Sequence, residues 1–434
     1  MAMVVKNNMS AISTLNTLNK NSSALSKSLQ KVSSGMKING AADDASGYAI
    51  SERMRVQIRG LDQANQNTQN GTSMMKVAEG AVSSTVDILK TLKEKVINAA
   101  NDSNTDDDRA TIQKELDQSI DQINDNANVT YNGKYLVDGS KNSKVTATTT
   151  SMTNQNLDFD TGFGSTFTQL TDRNGNNLNI QSSDTITLSY VKEGKTHTVT
   201  ASGASSFTDL LQKGDAANDL ATTGNGPTSV IGKDASGDTV YTASGDSALT
   251  ITAKGSGVEN QISGITFSVS DTKGHIKKSA NALLDGFSEA IRAQDGSKDN
   301  AITLQIGTKS NQAIKVGLTD MRAEALGLQA KDGTTINIGT KANANAAINV
   351  LDTAVQKALD QQTTIGAVQS RLEYTSSNLT TASENVQSSE STIRDADMAK
   401  EMTNYTKNNV LMQAAQSMLA QANQSSSSVL SLLQ

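Results

Sequence analysis

Residues 28–54, SLQKVSSGMKINGAADDASGYAISERM, join two long helical patterns through a segment of small and polar residues. Upstream, apolar side chains recur at steps of three and four, the spacing of a coiled-coil heptad. They are Ile12, Leu15, Leu18, Leu25, Leu29 and Val32, with Ser22 at one seam position. Gly35 is suited to end that helix, and Asp43 or Asp44 is suited to cap the next one. We therefore expect a helix on each side of this segment and a change of direction within it.

The downstream helix is predicted to reach residue 100, a length of roughly 80 Å at 1.5 Å per residue. Its apolar positions fit one heptad frame, but Asn65, Thr68 and Thr72 make the middle of the seam polar. Such a helix needs partners, because most helical stability in proteins comes from packing. A third helix follows a turn in which Asp106–Asp108 can act as the cap.

From about residue 140 to 300 the chain becomes rich in Thr, Ser, Gly and Asp, and alternating patterns replace helical ones. Residues 184–202 predict a β-hairpin. The segments SALTITAKG (247–255) and GITFSVSD (264–271) are expected to pair with each other, and SANALLDGFSEAIRAQ (279–294) is expected to be helical. These patterns predict an inserted α+β domain.

Alternating apolar residues in 301–318 predict a further hairpin, and helical periodicity returns at Ala342 and continues to the C-terminus. The chain is thus predicted to be mainly α with a β-rich insert. A long antiparallel coiled-coil bundle from both termini, a β-hairpin and an inserted α+β outer domain make up this fold class. Segments 1–34 and 398–434 have no partner except each other, so we expect them to order fully on assembly.

The composition excludes several functional classes. Hydrophobic residues make up 35% and aromatic residues 3%, which favours narrow helical seams over one thick core. The absence of Cys excludes disulfides and thiolate chemistry. The two histidines lie outside any HExxH pattern and no phosphate-binding glycine loop is present, so the sequence predicts no enzyme, no cofactor and no metal site.

The charge pattern and hydropathy limit the partners. The net charge is −6 and no clustered basic face is present, so no nucleic-acid partner is predicted. No segment reaches the ~20 apolar residues that span a bilayer, so no membrane insertion is predicted. The N-terminus MAMVVKNNMS lacks the pattern of a signal peptide, so any export is expected to use another route.

Both ends of the chain resemble bacterial flagellin. Residues 16–81, which begin NTLNKNSSAL and end KVAEGA, resemble the N-terminal signature of that family. Residues 370–434, which begin SRLEYTSSNL and end VLSLLQ, resemble its C-terminal signature. The two signatures are long and collinear, whereas the middle of the chain resembles no family.

The resemblance implies an extracellular structural subunit of the flagellar filament, exported unfolded through the flagellum's own channel. It implies as partners further copies of the chain, an export chaperone, and the cap and hook–filament junction proteins. It also implies three domains. They are an inner-core coiled coil of 1–43 and 395–434, an outer-tube helical domain of 44–140 and 301–394 with the hairpin 301–318, and a solvent-exposed insert of 141–300.

Two sets of site residues follow from the heptads and the resemblance. The predicted assembly interface consists of Ile12, Leu15, Leu18, Leu25, Leu29, Val32, Met398, Met402, Leu411, Met418, Leu419, Val429, Leu430, Leu432 and Leu433. The predicted spoke, where the chain crosses between inner and outer layers, consists of Gly35, Gly40, Ala41, Ala42, Gly47, Arg394 and Asp395. Glycine and alanine there are expected to allow close packing and bending.

A third set departs from the family. In members that Toll-like receptor 5 detects, the receptor-facing stretch commonly reads QRVRELAVQ, and the aligned run here is KTLKEKVIN, 90–98. Thr91 replaces the key arginine, and an arginine fork has no conservative substitute. The altered receptor-facing set is Lys90, Thr91, Lys93, Glu94, Lys95 and Glu115. We expect weakened receptor activation, unless this surface serves only contacts between subunits.

Three other interpretations stay open at this point. A heptad seam can be an ordinary intramolecular one. A hook–filament junction protein shares the terminal signatures more loosely and would not grow long tubes. An adhesin would carry its function in residues 141–300.

Overall fold

The computed structural model describes residues 8–222, 229–242 and 246–431. It divides into two compact units. The first contains residues up to Thr68, the loop Gln305–Gln312 and the chain from Tyr374 onward. The second contains Gln69–Leu304 and Ala313–Glu373.

The described residues form helices and strands in an order that matches the predicted class. The helices are α1 Met9–Ser34, α2 Ala45–Ala99, α3 Asp106–Ala127, α4 Phe207–Leu211, α5 Ala216–Asp219, α6 Lys278–Leu284, α7 Ala323–Leu326, α8 Lys341–Arg394 and α9 Met398–Ser431. The strands are β1 Thr130–Tyr131, β2 Lys134–Tyr135, β3 Ser151–Asn154, β4 Thr185–Lys192, β5 Lys195–Ser202, β6 Leu220–Thr222, β7 Val230–Lys233, β8 Thr239–Tyr241, β9 Leu249–Ala253, β10 Ile262–Ser270, β11 Phe287–Ile291, β12 Ile302–Gln305 and β13 Ala313–Val316. The prediction of a mainly α chain with a β-rich insert is confirmed.

The first unit is helical. Helix α1 packs against α9, and the parts of α2 and α8 in this unit share polar contacts along their seam. Ser376 Oγ donates to Asn65 Oδ1 at 2.7 Å, and Ser383 Oγ donates to Asp62 Oδ1 at 3.1 Å. Asn65, one of the predicted polar residues of the α2 seam, therefore has a polar partner on α8.

The connection from α2 to α3 is closed by capping contacts. Thr105 is the N-cap of α3 and forms a reciprocal capping box with Asp108, so the cap lies one residue before the predicted run of aspartates. Arg109 is buried and donates through Nε to the Ala99 carbonyl at 2.8 Å. This bond occupies one of the acceptors that the end of α2 leaves open.

The second unit holds the sheets of the insert. The strand orders are β10-β4-β5 and β11-β3-β9-β6, all antiparallel, around a core that includes Phe167, Phe207 and Phe267. The predicted hairpin over 184–202 forms as β4 and β5, and it turns at Glu193 and Gly194, which both have positive φ.

Two predictions for the insert are wrong. The strands in 247–255 and 264–271 form, but they do not pair, because β9 lies between β3 and β6 whereas β10 pairs with β4. The predicted helix over 279–294 ends at Leu284, and Phe287–Ile291 is strand β11. Apolar alternation identifies a strand without identifying its partner.

The insert is joined to α8 by close packing and buried polar contacts. A Cβ on Gly264 of β10 would lie 3.0 Å from the Val350 backbone nitrogen, so the strand lies directly on the helix. Lys357 of α8 is buried and pairs with the buried Glu289 of β11 at 3.3 Å. Its Nζ also donates to Gln261 Oε1 at 3.1 Å. The insert is therefore a docked part of the second unit.

Candidate assembly surface

The two terminal helices form an antiparallel pair in the first unit. Asn21 Nδ2 donates to the Leu411 carbonyl at 3.2 Å, and Asn408 Nδ2 donates to Ser28 Oγ at 3.1 Å. Asn8 begins the pair, because its side chain caps α1 and donates to the Ala422 carbonyl at 3.1 Å. Polar bonds at these points fix the register of the two helices.

The seam between α1 and α9 combines apolar side chains with small and polar ones. Most buried and half-buried positions on α1 are spaced by three and four, namely Ala11, Thr14, Leu18, Asn21, Leu25, Ser28 and Val32, and Ala24 and Lys31 beside them are also half-buried. On α9 they include Tyr405, Asn408, Met412, Ala415, Leu419 and Ala422. Such a seam buries less apolar area than a leucine zipper of equal length would.

Other large apolar side chains of both helices lie outside this seam. On α1, Ile12, Leu15 and Leu29 remain 48%, 45% and 52% exposed. On α9 the exposed set is Met398, Met402, Val410, Leu411 and Met418. Met9 belongs to the same exposed class on α1. We call these residues the outer faces of α1 and α9.

The predicted assembly residues are thus divided between two surfaces. Leu18, Leu25, Val32 and Leu419 are half-buried, and the other predicted residues with a described side chain belong to the outer faces. The sequence placed Leu15 and Leu29 on one seam of α1 with Leu18, Leu25 and Val32, whereas the internal seam contains Asn21 and Ser28 in their place. Val429 and Leu430 lie in α9, and Leu432 and Leu433 lie outside the described residues.

The chain passes between the terminal helices and the α2–α8 pair through two adjacent segments, residues 35–44 between α1 and α2 and residues 395–397 between α8 and α9. We call these segments the two crossings. Gly35 has φ 68° and ends α1 as a left-handed C-cap, as predicted. Its carbonyl accepts from Ala396 N at 2.9 Å, and Lys37 N donates to the Arg394 carbonyl at 2.7 Å. Backbone hydrogen bonds therefore hold the two crossings together, and Met36 and Asp395 form a β-bridge between them.

Among the predicted spoke residues, close packing is found at Gly47. Asp44 Oδ1 caps α2 by accepting from Gly47 N at 3.0 Å. A Cβ on Gly47 would collide with the Asp44 carboxylate and lie 2.7 Å from Ile38 Cδ1. A Cβ on Gly40 would meet nothing within 4 Å, and the alanines after it are exposed, so the packing argument does not hold for 40–42.

Arg394 is the best-connected side chain of the crossing. It is 8% exposed and donates through NH1 to Glu52 Oε1 at 2.7 Å. Its Nε lies 3.2 Å from Met36 Sδ, and its guanidinium lies 5.6 Å from the centre of the Tyr48 ring. The hydrogen bond from Arg394 holds the pKa of the Glu52 carboxyl below its ordinary value.

The sequence did not identify Glu52, Tyr48 and Met36 as partners of Arg394, nor Asn21 and Asn408 as seam residues. Spacing gave one usable signal, because Tyr48 and Glu52 are four residues apart on the first turns of α2 and so share a face. The contacts to Arg394 are long-range, and a single sequence contains no signal for them.

The altered receptor-facing stretch lies on α2 in the second unit. Thr91 is exposed and its hydroxyl donates to the Asp87 carbonyl at 3.0 Å. Lys95 pairs with Glu115 of α3 at 3.0 Å, and Lys93 pairs with Asp352 of α8. Lys90 pairs within its own helix and Glu94 is exposed. Two of the three lysines are thus engaged between helices of the same chain.

The described part of the chain contains no group of three or more His, Cys, Asp or Glu that could hold a metal ion. Within residues 8–222, 229–242 and 246–431, no helix combines the length and hydropathy that crossing a membrane requires.

Comparison with known proteins matches both ends and nearly the whole length. Residues 5–142 match the bacterial flagellin N-terminal helical region, and 348–433 match the C-terminal helical region. The chain is 35% identical to a flagellin of Clostridium tyrobutyricum over 425 residues, which covers 97% of this chain and 99% of that one. It is 30% identical to a flagellin of Bacillus subtilis (strain 168), which covers 99% and 100% of the two chains.

Solved structures give a weaker likeness. The flagellar hook associated protein-3 of Legionella pneumophila matches with a TM-score of 0.34 and 15% identity, over 78% of this chain and 97% of that one. A TM-score this low carries no argument about the arrangement of the present chain.

Proposed function

Since the chain belongs to the flagellin family, whose members are structural proteins of the extracellular flagellar filament and not enzymes, we propose that it polymerises into that filament through the outer faces of α1 and α9. Further copies of the chain are the partners that cover those faces.

One observation supports this proposal above the rest. The internal seam of the terminal pair is only partly apolar, with Asn21, Ser28 and Asn408 among its members, whereas the residues of the outer faces stay about half exposed or more. A pair built only for intramolecular stability would bury more of its leucines and methionines, because burial of such a side chain contributes about 1.5–3 kcal/mol. Exposed apolar faces on both ends of one chain suit a molecule that is completed by its neighbours.

The energetic balance favours polymerisation. The outer faces include Ile12, Leu15 and Leu29 on α1, each close to half exposed. If a neighbour covers the exposed half, each contributes about 1 kcal/mol. The methionines and leucine of α9 add a comparable amount, and the sum exceeds the ~2–5 kcal/mol that ordering a mobile segment costs.

We also propose the domain division and the spoke that the resemblance implies. Residues 1–43 and 395–434 form the inner core, 44–140 and 301–394 form the outer tube, and 141–300 face solvent. Gly35, Gly47, Arg394 and Asp395 connect the inner and outer layers, supported by the paired backbone bonds and the capped start of α2.

We further propose that the unfolded chain is exported through the flagellar channel. Its partners in this process are an export chaperone and the cap and hook–filament junction proteins. The absence of Cys and the presence of one Pro favour it. Such a chain needs no oxidative folding and meets few slow prolyl isomerisations when it refolds.

The test is seeded growth of purified chain on short filament fragments, followed by electron microscopy. The proposal expects long tubes from the full chain and none from a chain trimmed by about thirty residues at each end. A hook–filament junction protein would not elongate seeds. Growth by the trimmed chain would overturn the proposed interface.

We propose further that activation of Toll-like receptor 5 is weakened. Thr91 presents a short hydroxyl that is bound to its own helix, where an arginine would project a charged fork. A cell reporter assay should show low potency for this chain and a gain for Thr91→Arg. Full potency of the unaltered chain would refute this proposal and favour a surface used only between subunits.

A further inference from the structure

The geometry points to Arg394 as the positioning residue of polymerisation. By tying the end of α8 to the start of α2, it sets the direction in which both terminal helices leave that pair, so that their outer faces are presented together. This inference rests on the proposed function and assigns one side chain of the crossing a definite role in it.

The position of Arg394 gives it control over both crossings. It is the last residue of α8, and α9 begins at Met398. Its carbonyl accepts from Lys37 of the other crossing at 2.7 Å, and its side chain contacts Met36 there through sulfur at 3.2 Å. Arg394 therefore contacts the crossing between α1 and α2 and directly precedes the crossing between α8 and α9.

The side chain then fastens these crossings to α2. Glu52 accepts from NH1 at 2.7 Å, and the Tyr48 ring lies 5.6 Å from the guanidinium. Both partners lie on the first turns of α2, which Asp44 caps through the backbone of Gly47. The contacts reach from the end of one helix to the capped start of another.

The chemistry of the group suits this role. A planar guanidinium can donate to a carboxylate and a thioether from one rigid fork while it also lies near an aromatic ring, whereas an ammonium group is a compact point charge. The cation is 8% exposed, so it depends on Glu52 for charge compensation. Loss of either partner is expected to release both crossings at once.

A purely stabilising role would predict something different. If Arg394 only added stability, its loss would lower the unfolding midpoint while the directions of α1 and α9 stayed the same in the folded chain. A positioning role predicts a wider range of angles between α1 and α2 in a chain that remains helical. The two roles can be separated because the natural chain contains no Cys, so spin labels can be placed at will.

The experiment places labels at Ser23→Cys and Gln57→Cys, both exposed and both in the first unit. Inter-label distance distributions of the free chain and its critical concentration for growth on seeds are measured together. Arg394→Glu is expected to broaden the distribution and to raise the critical concentration about tenfold. The charge swap Arg394→Glu with Glu52→Arg is expected to narrow the distribution and recover most of the growth.

Two further variants serve as comparisons. Arg394→Lys keeps the charge without the fork and should lie between the unaltered chain and Arg394→Glu. Lys298→Glu reverses an exposed charge in the second unit and should change neither readout. Circular dichroism confirms that each variant is helical, and if Arg394→Glu is not, the charge swap and Arg394→Lys decide the question.

The outcomes separate this inference from the proposed function. An unchanged distance distribution in Arg394→Glu, or a charge swap no narrower than the single variant, overturns the positioning role whatever the polymer does. If the unaltered chain fails to elongate seeds, the proposed function fails. The distance distributions then still show whether Arg394 fixes the crossing.

Discussion

Replacement of two outer-face leucines, Leu15→Gln with Leu29→Gln, should raise the critical concentration for polymerisation strongly while the free chain keeps its helices. Both side chains project from α1 away from the internal seam and are 45% and 52% exposed. Glutamine has nearly the helix propensity of leucine, so the substitution removes apolar surface without weakening the helix itself.

The magnitude follows from the exposed fractions. Full burial of a leucine contributes about 1.5–3 kcal/mol, so covering the exposed half contributes about 1 kcal/mol for each residue. Loss of about 2 kcal/mol in the double variant corresponds to a rise in critical concentration of about 30-fold, since 1.4 kcal/mol is a factor of ten. Each single variant should show a rise of about fivefold.

The measurement is the protein concentration left in the supernatant after seeded growth and sedimentation, with helicity of the free chain checked by circular dichroism. Ile276→Gln with Tyr241→Gln is the matched control, because these insert side chains are 56% and 61% exposed. A double leucine variant within twofold of the unaltered chain would refute the reasoning, as would an equal rise in the control.

Three stability predictions concern single sites, each checked by denaturant unfolding. Burial raises the pKa of Asp285 to about 6, so the folded chain should lose stability as pH rises from about 4 to about 6. Asp285→Asn should abolish that loss and be about 1–3 kcal/mol more stable at pH 7. An unchanged dependence of the unfolding free energy on pH in the variant would contradict this. Gly47→Ala should cost about 1–3 kcal/mol because its Cβ would lie 2.7 Å from a buried isoleucine methyl, whereas Gly40→Ala, with open space, should be neutral. Lys357→Ala should cost up to about 3–5 kcal/mol, because the buried Glu289 would keep only Arg292, 3.9 Å away, as an ion-pair partner. The double variant Lys357→Met with Glu289→Leu should cost much less, and equal losses would argue against the pair.

The long helices α1, α2, α3, α8 and α9 were predictable because each carries a repeating pattern longer than any competing signal. The heptad steps of α1, the aspartates before α2 and Gly35 at the end of α1 all indicate the same boundaries. Because these local signals agree with one another, such helices can be predicted from a single sequence.

The strand partners were not predictable for a physical reason. The glycines at 255 and 257 favour a turn between β9 and β10, but the chain there forms a short 3-10 helix, Val258–Asn260, and continues into the other sheet. Strand β3 is entirely buried, yet its sequence SMTN lacks any apolar alternation. Its burial depends on neighbours that are distant in sequence.

The surface of the terminal helices was only partly predictable. Periodicity identified which residues of α1 and α9 are apolar, but two heptad frames overlap on α1, and the one through Asn21 and Ser28 faces α9. This frame pairs within the chain because Asn21 donates to a backbone carbonyl of α9 and Ser28 accepts from Asn408 of α9. That choice leaves Leu15 and Leu29 outward.

Exposed methionines make the outer faces sensitive to oxidation. Met9, Met398, Met402 and Met418 are 69%, 43%, 45% and 63% exposed in the free chain. An oxidant that reaches them converts each thioether into a polar, chiral sulfoxide. A subunit oxidised before it is added would carry polar sulfoxides on surfaces that become buried in the filament. In a subunit already enclosed by neighbours, the same sulfur atoms would be shielded from the oxidant. Peroxide would therefore impair subunits that have not yet been added more than subunits already within the filament.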